Sequence, residues 1–123
     1  MRKIIGYIVL LIAVSSCAHD FNHSKFVANN STDTLTIINP DFDTIIYALP
    51  GETVLIYEFK VLDTKQEMED CKWLGPQLFI TNEDDSSCTK SVFIEENWSS
   101  IVGGEEKKRY QECTIELDDL DFF

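Results

Sequence analysis

Residues 34–59 read TLTIINPDFDTIIYALPGETVLIYEF, in which strand-forming runs alternate with turn residues. β-Branched and aromatic residues dominate three of the runs, as is typical of strands. These runs cover residues 34–38, 44–49 and 53–59. A turn is predicted at 39–41, and Pro50-Gly51 predicts a type II turn, because Pro presets φ and Gly allows φ > 0 at the two central positions. Three strands joined by turns predict an antiparallel meander or part of a Greek key.

The run at residues 53–59 is the longest apolar strand candidate. Its alternation puts Leu55, Tyr57 and Phe59 on one face and Val54 and Ile56 on the other. Because both faces are apolar, we predict a central strand that is covered on both sides.

Further strands are predicted on both sides of this region, at residues 26–28, 78–81 and 91–94. The last strand candidate has the clearest alternation: Cys113, Ile115 and Leu117 alternate with polar side chains and are predicted to face inward. The acidic segment 61–73 is predicted to be a crossing loop, and residues 97–106 a second loop.

These elements amount to about seven short strands, with no long helix after the N-terminal segment. Their number and spacing predict an all-β fold, a small antiparallel β-sandwich of immunoglobulin-like type. The Cys…Trp…Cys signature of antibody domains is absent, which leaves the strand order open. A small closed β-barrel is the alternative.

The first seventeen residues form a separate unit. Arg2 and Lys3 precede an apolar run at residues 4–14, which is shorter than the roughly 20 residues needed to span a bilayer. Residues 14–17 are Val-Ser-Ser-Cys. An aliphatic residue followed by two small ones and a cysteine resembles the lipobox of bacterial lipoproteins.

This resemblance implies that residues 1–16 are a signal peptide and that Cys17 becomes the lipidated N-terminus. Two or three acyl chains anchor a protein stably, whereas one binds only marginally. Two alternatives stay open: an ordinary secretory cleavage site at residues 16–18, which would release a soluble protein, and an uncleaved membrane segment. We therefore expect a tether at residues 17–24 and a single β-domain at residues 25–123.

Net charge excludes some classes of partner. The signal peptide holds two of the 10 basic residues and none of the 22 acidic ones, so the mature chain carries −14. This argues against nucleic acid, whose phosphates require cationic side chains, and against an electrostatic grip on anionic lipid. A basic partner or divalent cations at the surface are compatible with it, although acidic surfaces also simply maintain solubility.

Three cysteines remain once Cys17 is assigned to lipid: Cys71, Cys88 and Cys113. Export would place them in an oxidising compartment, where a disulfide is expected and one thiol is left over. If residues 90–94 and 109–117 form a hairpin, Cys88 falls opposite Cys113. Of the three possible pairings we therefore favour Cys88–Cys113, with Cys71 spare.

Catalysis and cofactors are not indicated. His19 and His23 fall in the predicted tether, which cannot hold a general base at a fixed distance from its target. The chain has no GxSxG, HExxH, P-loop or GxGxxG motif. The acidic clusters at residues 83–85 and 118–121 do not follow the calcium-loop pattern. We therefore expect no enzyme activity, no metal site and no cofactor.

Four aromatic residues fall in predicted loops or at the C-terminus: Trp73, Trp98, Phe122 and Phe123. As an exposed cluster they would form a recognition patch, and Trp73 and Trp98 are the candidates for it. The alternative, which we favour, is that these side chains cap the ends of the sandwich core.

Two short motifs resemble the Asp-Ser/Thr-aliphatic acceptor for O-glycosylation of exported proteins in Bacteroidota. They begin at Asp33 and Asp43 and imply glycans on Thr34 and Thr44. The layout of lipid cysteine, Pro-Gly-Glu turn, late Asn-Trp and cysteine-containing last strand is also similar to small envelope lipoproteins of that group. This resemblance implies an outer-membrane anchor, on either side of the membrane, and no activity.

The expected function is a non-enzymatic binding or structural module, tethered to the bacterial outer membrane by Cys17, with an envelope protein or glycan as partner. The alternative is a lipid-anchored inhibitor or immunity protein that neutralises a basic toxin or enzyme. Complementary charge would speed that encounter.

Overall fold

The computed structural model describes residues 20–61, 69–105 and 107–123, which form seven strands. The strands are β1 (Asp20–Asn29), β2 (Leu35–Asn39), β3 (Thr44–Ala48), β4 (Thr53–Val61), β5 (Phe79–Thr81), β6 (Trp98–Glu105) and β7 (Lys108–Leu117). Short 3-10 turns cover Glu95–Asn97 and Asp119–Asp121. The predicted signal peptide, Cys17 and part of the predicted crossing loop lie outside the described residues. In the described part of the chain, no helix is long and apolar enough to cross a membrane.

The strands form two sheets with the core between them. The large sheet has the order β4-β1-β7-β6, and the small sheet has the order β3-β2-β5. The predicted all-β sandwich is confirmed, since the described strands do not close into a barrel. Paired strands are antiparallel except β1 and β7, the first and the last, which run parallel at the centre of the large sheet.

Residues 34–59 are divided between the two sheets. β2 and β3 form a hairpin in the small sheet, whereas β4 pairs with β1 in the large sheet. The chain crosses at the predicted type II turn, where Gly51 has a φ of 82° and the Glu52 N–H donates to the Leu49 carbonyl at 2.9 Å. The turn is confirmed, and the crossing excludes a continuous meander.

β4 differs from its prediction in position and in register. It is an edge strand, and a β-bulge shifts its pairing so that Lys25 lies opposite Tyr57 while Phe26 lies opposite Leu55. The extra residue, Ile56, therefore faces the core together with Tyr57, and Leu55 is exposed. The prediction of a central strand covered on both sides was wrong because a bulge brings apolar residues of both parities to one face.

The core is built from inward positions of β7 and the small sheet. Cys113, Ile115 and Leu117 are fully buried, which confirms the alternation predicted for the last strand. Leu35 and Ile37 of β2 are buried in the same cluster. Full burial of an aliphatic side chain of this size contributes about 2 kcal/mol.

β1 begins inside the predicted tether. Residues from Asp20 onward pair with β7, and from Phe21 onward with β4, so the tether at residues 17–24 was wrong for residues 20–24. His23 and Ser24 are buried although both are polar. The sequence of residues 20–24 does not indicate a strand, because the side chains that face inward include polar ones.

β6 replaces the loop predicted at residues 97–106, and it pairs with β7 along its full length. Conversely, the segment predicted as a strand at residues 91–94 is not one. Gly103 lies opposite Tyr110, whose ring occupies the space that a side chain on Gly103 would fill. Gly103, which suggested a loop in the sequence, is thus accommodated in β6 because the ring of Tyr110 fills the space beside it.

Candidate interaction surface

The disulfide joins Cys71 to Cys113, with Cα atoms 5.4 Å apart, and Cys88 is free. The predicted Cys88–Cys113 pairing was therefore wrong. It required a hairpin partner for β7 at residues 90–94, but β6 occupies that place. Cys88 instead forms an isolated antiparallel β-bridge with Phe122 through its backbone. Its side chain is half-buried, and burial raises the pKa of the thiol.

A buried lysine holds the segment that carries Cys71. Lys25, only 4% exposed, donates from Nζ to the carbonyls of Asp70, Cys71 and Lys72 at 3.2, 2.7 and 3.2 Å. The Glu95 carboxylate accepts the N–H groups of Cys71 and Lys72 at 2.9 and 2.7 Å. All three ammonium protons meet a carbonyl, as a buried cation requires. We call this arrangement the Lys25–Glu95 clamp. It fixes the backbone of residues 70–72 over the large sheet, and it uses all three protons of the Lys25 ammonium group, so that none is left to donate to a substrate.

His23 lies beside the clamp rather than in a tether. It is 0% exposed, its Nδ1 lies 2.9 Å from Gln111 Oε1, and its ring stacks on Phe59. Gln111 continues the network to the Glu69 backbone, donating to its carbonyl at 2.8 Å and accepting from its N–H at 3.0 Å. Burial lowers the pKa of His23. The residue thus completes the packing under the loop, a role that no sequence pattern indicated.

Trp73 and Trp98 are both buried, so they do not form a recognition patch. The Trp73 Nε1–H donates to the Pro76 carbonyl at 2.7 Å, and the Trp98 Nε1–H donates to the Val92 carbonyl at 2.9 Å. The favoured prediction, that the four aromatic side chains belong to the core, is confirmed for Trp73, Trp98 and Phe122 and wrong for Phe123, which is 84% exposed.

The outer face of the small sheet exposes a continuous apolar row. Ile38 pairs with Ile45 on one side and with Phe79 on the other, and all three point away from the core. They are 37%, 56% and 45% exposed, and Tyr47, two residues after Ile45, is 61% exposed. We call these four residues the apolar sheet face. Contiguous exposed apolar side chains of this kind are typical of interaction sites.

The apolar sheet face had a sequence signal that was missed. The pairs Ile37-Ile38 and Ile45-Ile46 place two isoleucines in succession within short strands. Successive side chains of a strand point to opposite faces, so in a sheet covered on one side one residue of each pair must be exposed.

Charge around this face is mostly negative, although Lys90 lines a pocket beside Phe79. Residues 26–59 and 73–89, which contain the whole small sheet, hold eight acidic side chains and no Lys or Arg. Asp41 and Asp43 lie in the β2–β3 turn at one end, and residues 83–85 follow β5 at the other. Burial and the neighbouring Glu83 carboxylate raise the pKa of Asp33 near that second end.

The second acidic end is held in a defined turn. The Asn82 Oδ1 accepts the N–H groups of Asp84 and Ser86 at 3.0 and 2.9 Å, and Asp85 has a φ of 59°. The described part of the chain contains no group of three or more His, Cys, Asp or Glu side chains arranged to hold a metal ion. The acids at residues 83–85 directly follow β5, which carries Phe79 of the apolar sheet face.

A small cavity opens beside the other acidic end. It has a volume of ≈210 Å³ and is lined by Asp41, Phe42, Tyr57, Trp73 and Leu74, with Lys25 and Gly75. Phe42 and Leu74 are exposed at its rim, so the cavity is open to a side chain of a partner. Its place at the β2–β3 turn makes it continuous with the border of the apolar sheet face.

The remaining predicted modification sites lie near this surface. Thr34 is half-buried just before β2, and Thr44 is half-buried at the start of β3. The Thr44 hydroxyl donates to the Phe42 carbonyl at 2.9 Å. Glycosylation of these two residues stays a prediction.

No protein-family model, no curated protein and no solved structure gives a significant match to this chain.

Proposed function

We propose that this protein is a non-enzymatic binding module of the bacterial cell envelope, anchored by lipid on Cys17, which docks a basic partner protein on the small sheet. The observation that carries the proposal is the exposed row of Ile45, Ile38 and Phe79. It lies on the one sheet whose strands and flanking turns contain no basic side chain. The fold serves as a rigid frame that presents this row.

Apolar area and charge would have separate roles in docking. The apolar sheet face would supply the desolvated centre of an interface, where aromatic and aliphatic side chains contribute most of the affinity. The acidic turns around Asp41, Asp43 and residues 83–85 would form its rim. Rim charges mainly steer encounter and select the partner, so a partner with an apolar centre and a basic rim is favoured.

A second candidate is an inhibitor or immunity protein that neutralises a basic toxin or enzyme. The cavity lined by Asp41, Phe42 and Tyr57 supports it, because a ≈210 Å³ space with an acid at its edge fits one basic side chain of a target. Both candidates use the same surface. They differ in what the partner does once it is bound.

The test is crosslinking on intact cells with a membrane-impermeant reagent, comparing the native protein with Cys17→Ser and Ile45→Lys. We expect a basic protein to be captured by the native form, and Ile45→Lys to weaken its purified complex at least about tenfold. Ile101→Lys on β6 is the matched control, since Ile101 is 62% exposed on the other sheet.

Three outcomes separate the ideas. Equal binding by Ile45→Lys and the native protein would refute docking on the apolar sheet face. If the Cys17→Ser variant captures the partner as efficiently as the native protein does, the lipid anchor is not needed for binding. If the captured protein is an enzyme or toxin and loses its activity on binding, the inhibitor candidate replaces the structural one.

A further inference from the structure

A cluster of basic residues lies where the described chain begins. Lys107, Lys108 and Arg109 form the tip of the β6–β7 hairpin, and all three are exposed. The Asp20 N–H donates to the Lys107 carbonyl at 2.7 Å, and Asp20 lies opposite Lys108 in the parallel β1–β7 pair. The start of β1 and this basic tip are therefore adjacent.

The basic tip is also close to Cys17 along the chain. Cys17 precedes Asp20 by three residues, which span at most about 10 Å when extended. That length is close to the Debye length of about 8 Å at physiological ionic strength. A lipid on Cys17 would therefore hold the tip within electrostatic range of the phosphates of the bilayer.

Charge is unevenly distributed along the domain. Four of the seven basic residues in the described ranges lie at this end of the large sheet, Lys60 and the three of the basic tip. Lys60 is ion-paired with Glu58 at 3.7 Å, and Lys108 lies opposite Asp20 and Glu105 in the sheet. This end is therefore close to neutral in a mature chain of −14. The small sheet lies toward the Asn29 end of β1, where Asn29 donates to the Ala48 carbonyl of β3, and its flanking turns carry only acidic charges.

We propose that the basic tip contacts the phosphates of anionic phospholipids in the bilayer that holds Cys17, and thereby stands the domain upright with the apolar sheet face away from the membrane. The net charge of the chain would be repelled by an anionic surface, and this orientation brings three exposed basic side chains to the surface while it keeps the acidic turns of the small sheet away from it. The inference rests on the proposed lipid anchor.

The test uses the full lipidated protein reconstituted into phosphatidylcholine vesicles with and without phosphatidylglycerol. A membrane-impermeant acetylating reagent is added at low salt, and modification of each lysine is quantified by mass spectrometry. We expect phosphatidylglycerol to slow acetylation of Lys107 and Lys108 about fivefold, with slower modification of Lys60 as well. Lys90, bonded to the Glu116 carbonyl far from the tip, is the internal control.

A variant pair isolates the tip from the anchor. The triple change Lys107→Gln, Lys108→Gln and Arg109→Gln should abolish the protection of Lys60, whereas Lys72→Gln should preserve it. Flotation of the native protein with vesicles but equal acetylation in both lipids would overturn the tip proposal alone. Failure to float with either vesicle would instead refute the lipid anchor.

Discussion

The Lys25 side chain carries a positive charge into the space beneath residues 70–72, where its three protons meet three carbonyl oxygens. Glu95 holds the N–H groups of the same segment from the other side. Burial lowers the pKa of Lys25, while Glu95 and other acids oppose that shift. The Lys25–Glu95 clamp is thus a structural element in which each donor has a hydrogen-bond acceptor.

Replacing Lys25 by Met should destabilise the fold by about 3 kcal/mol, because it leaves buried carbonyls without donors and Glu95 without its cation. Urea unfolding followed by circular dichroism measures the change. Lys60→Met is the matched control: Lys60 is exposed and its ion pair with Glu58, at 3.7 Å, should contribute less than about 1 kcal/mol. Equal midpoints for the two variants would refute the clamp.

His23 makes stability depend on pH. Burial is the main cause that lowers its pKa below 6.5, with the hydrogen bond to Gln111 opposing the shift. Below pH 6.5 the unfolded chain therefore binds a proton at this site that the folded chain does not. Its contribution to the free energy of unfolding decreases as the pH falls through this range, until the folded pKa is reached.

The His23→Gln variant isolates this effect. Unfolding free energies of the native protein and the variant are compared between about pH 7.5 and pH 5. The native protein should lose stability relative to His23→Gln on acidification, by at most about 1.4 kcal/mol per pH unit. Parallel curves for the two proteins would show that the His23 ring is not protected from protonation.

Among the elements, those with regular alternation were predictable and those defined by pairing were not. The alternation of Cys113, Ile115 and Leu117 and the Pro50-Gly51 turn were confirmed. The bulge at Ile56 has no local signal, because it is a property of how β4 meets β1. Burial of His23 likewise depends on neighbours from distant parts of the chain.

The disulfide and the candidate surface illustrate the same limit. Cys71 reaches Cys113 because residues 69–72 lie against the large sheet, where Lys25 and Glu95 hold their backbone. The spacing of the cysteines carries no information on that path. The apolar sheet face was partly visible in Ile37-Ile38 and Ile45-Ile46, but its position on one sheet required the pairing.

Removing the Cys71–Cys113 link with a Cys71→Ser, Cys113→Ser double variant should cost about 4 kcal/mol, the loop-closure value for a separation of 42 residues. Cys88→Ser is the matched control and should change stability little. Thermal unfolding with and without reductant measures both. Mass spectrometry of non-reduced peptides identifies the link directly, and a Cys88-containing linked peptide would contradict the assignment.

Over the whole molecule, repulsion among acids opposes folding. The mature chain carries −14, and the ion pair between described residues is the exposed Lys60–Glu58 contact. Like charges held close in the folded state destabilise it, and salt screens them. Residues 83–85 place three acids in succession in the turn after β5.

Added salt should therefore stabilise the protein. Raising NaCl from about 0.01 M to 0.15 M, which shortens the Debye length from about 30 to 8 Å, should raise the unfolding midpoint. Replacing Asp84 and Asp85 by Asn should reduce that salt dependence. A midpoint that falls with salt would mean that favourable ion pairs outweigh repulsion.

The parallel pairing of β1 with β7 has a consequence for biosynthesis. Asp20 pairs with Lys108, 88 residues later, so β1 has no partner on that side until the ribosome has made nearly the whole chain. At about 5–20 residues per second, this delay lasts at least about 4 s. The large sheet cannot be completed during that interval, because β7 separates β1 from β6 in the strand order. Folding of this sheet is therefore expected to follow synthesis of the chain rather than to accompany it.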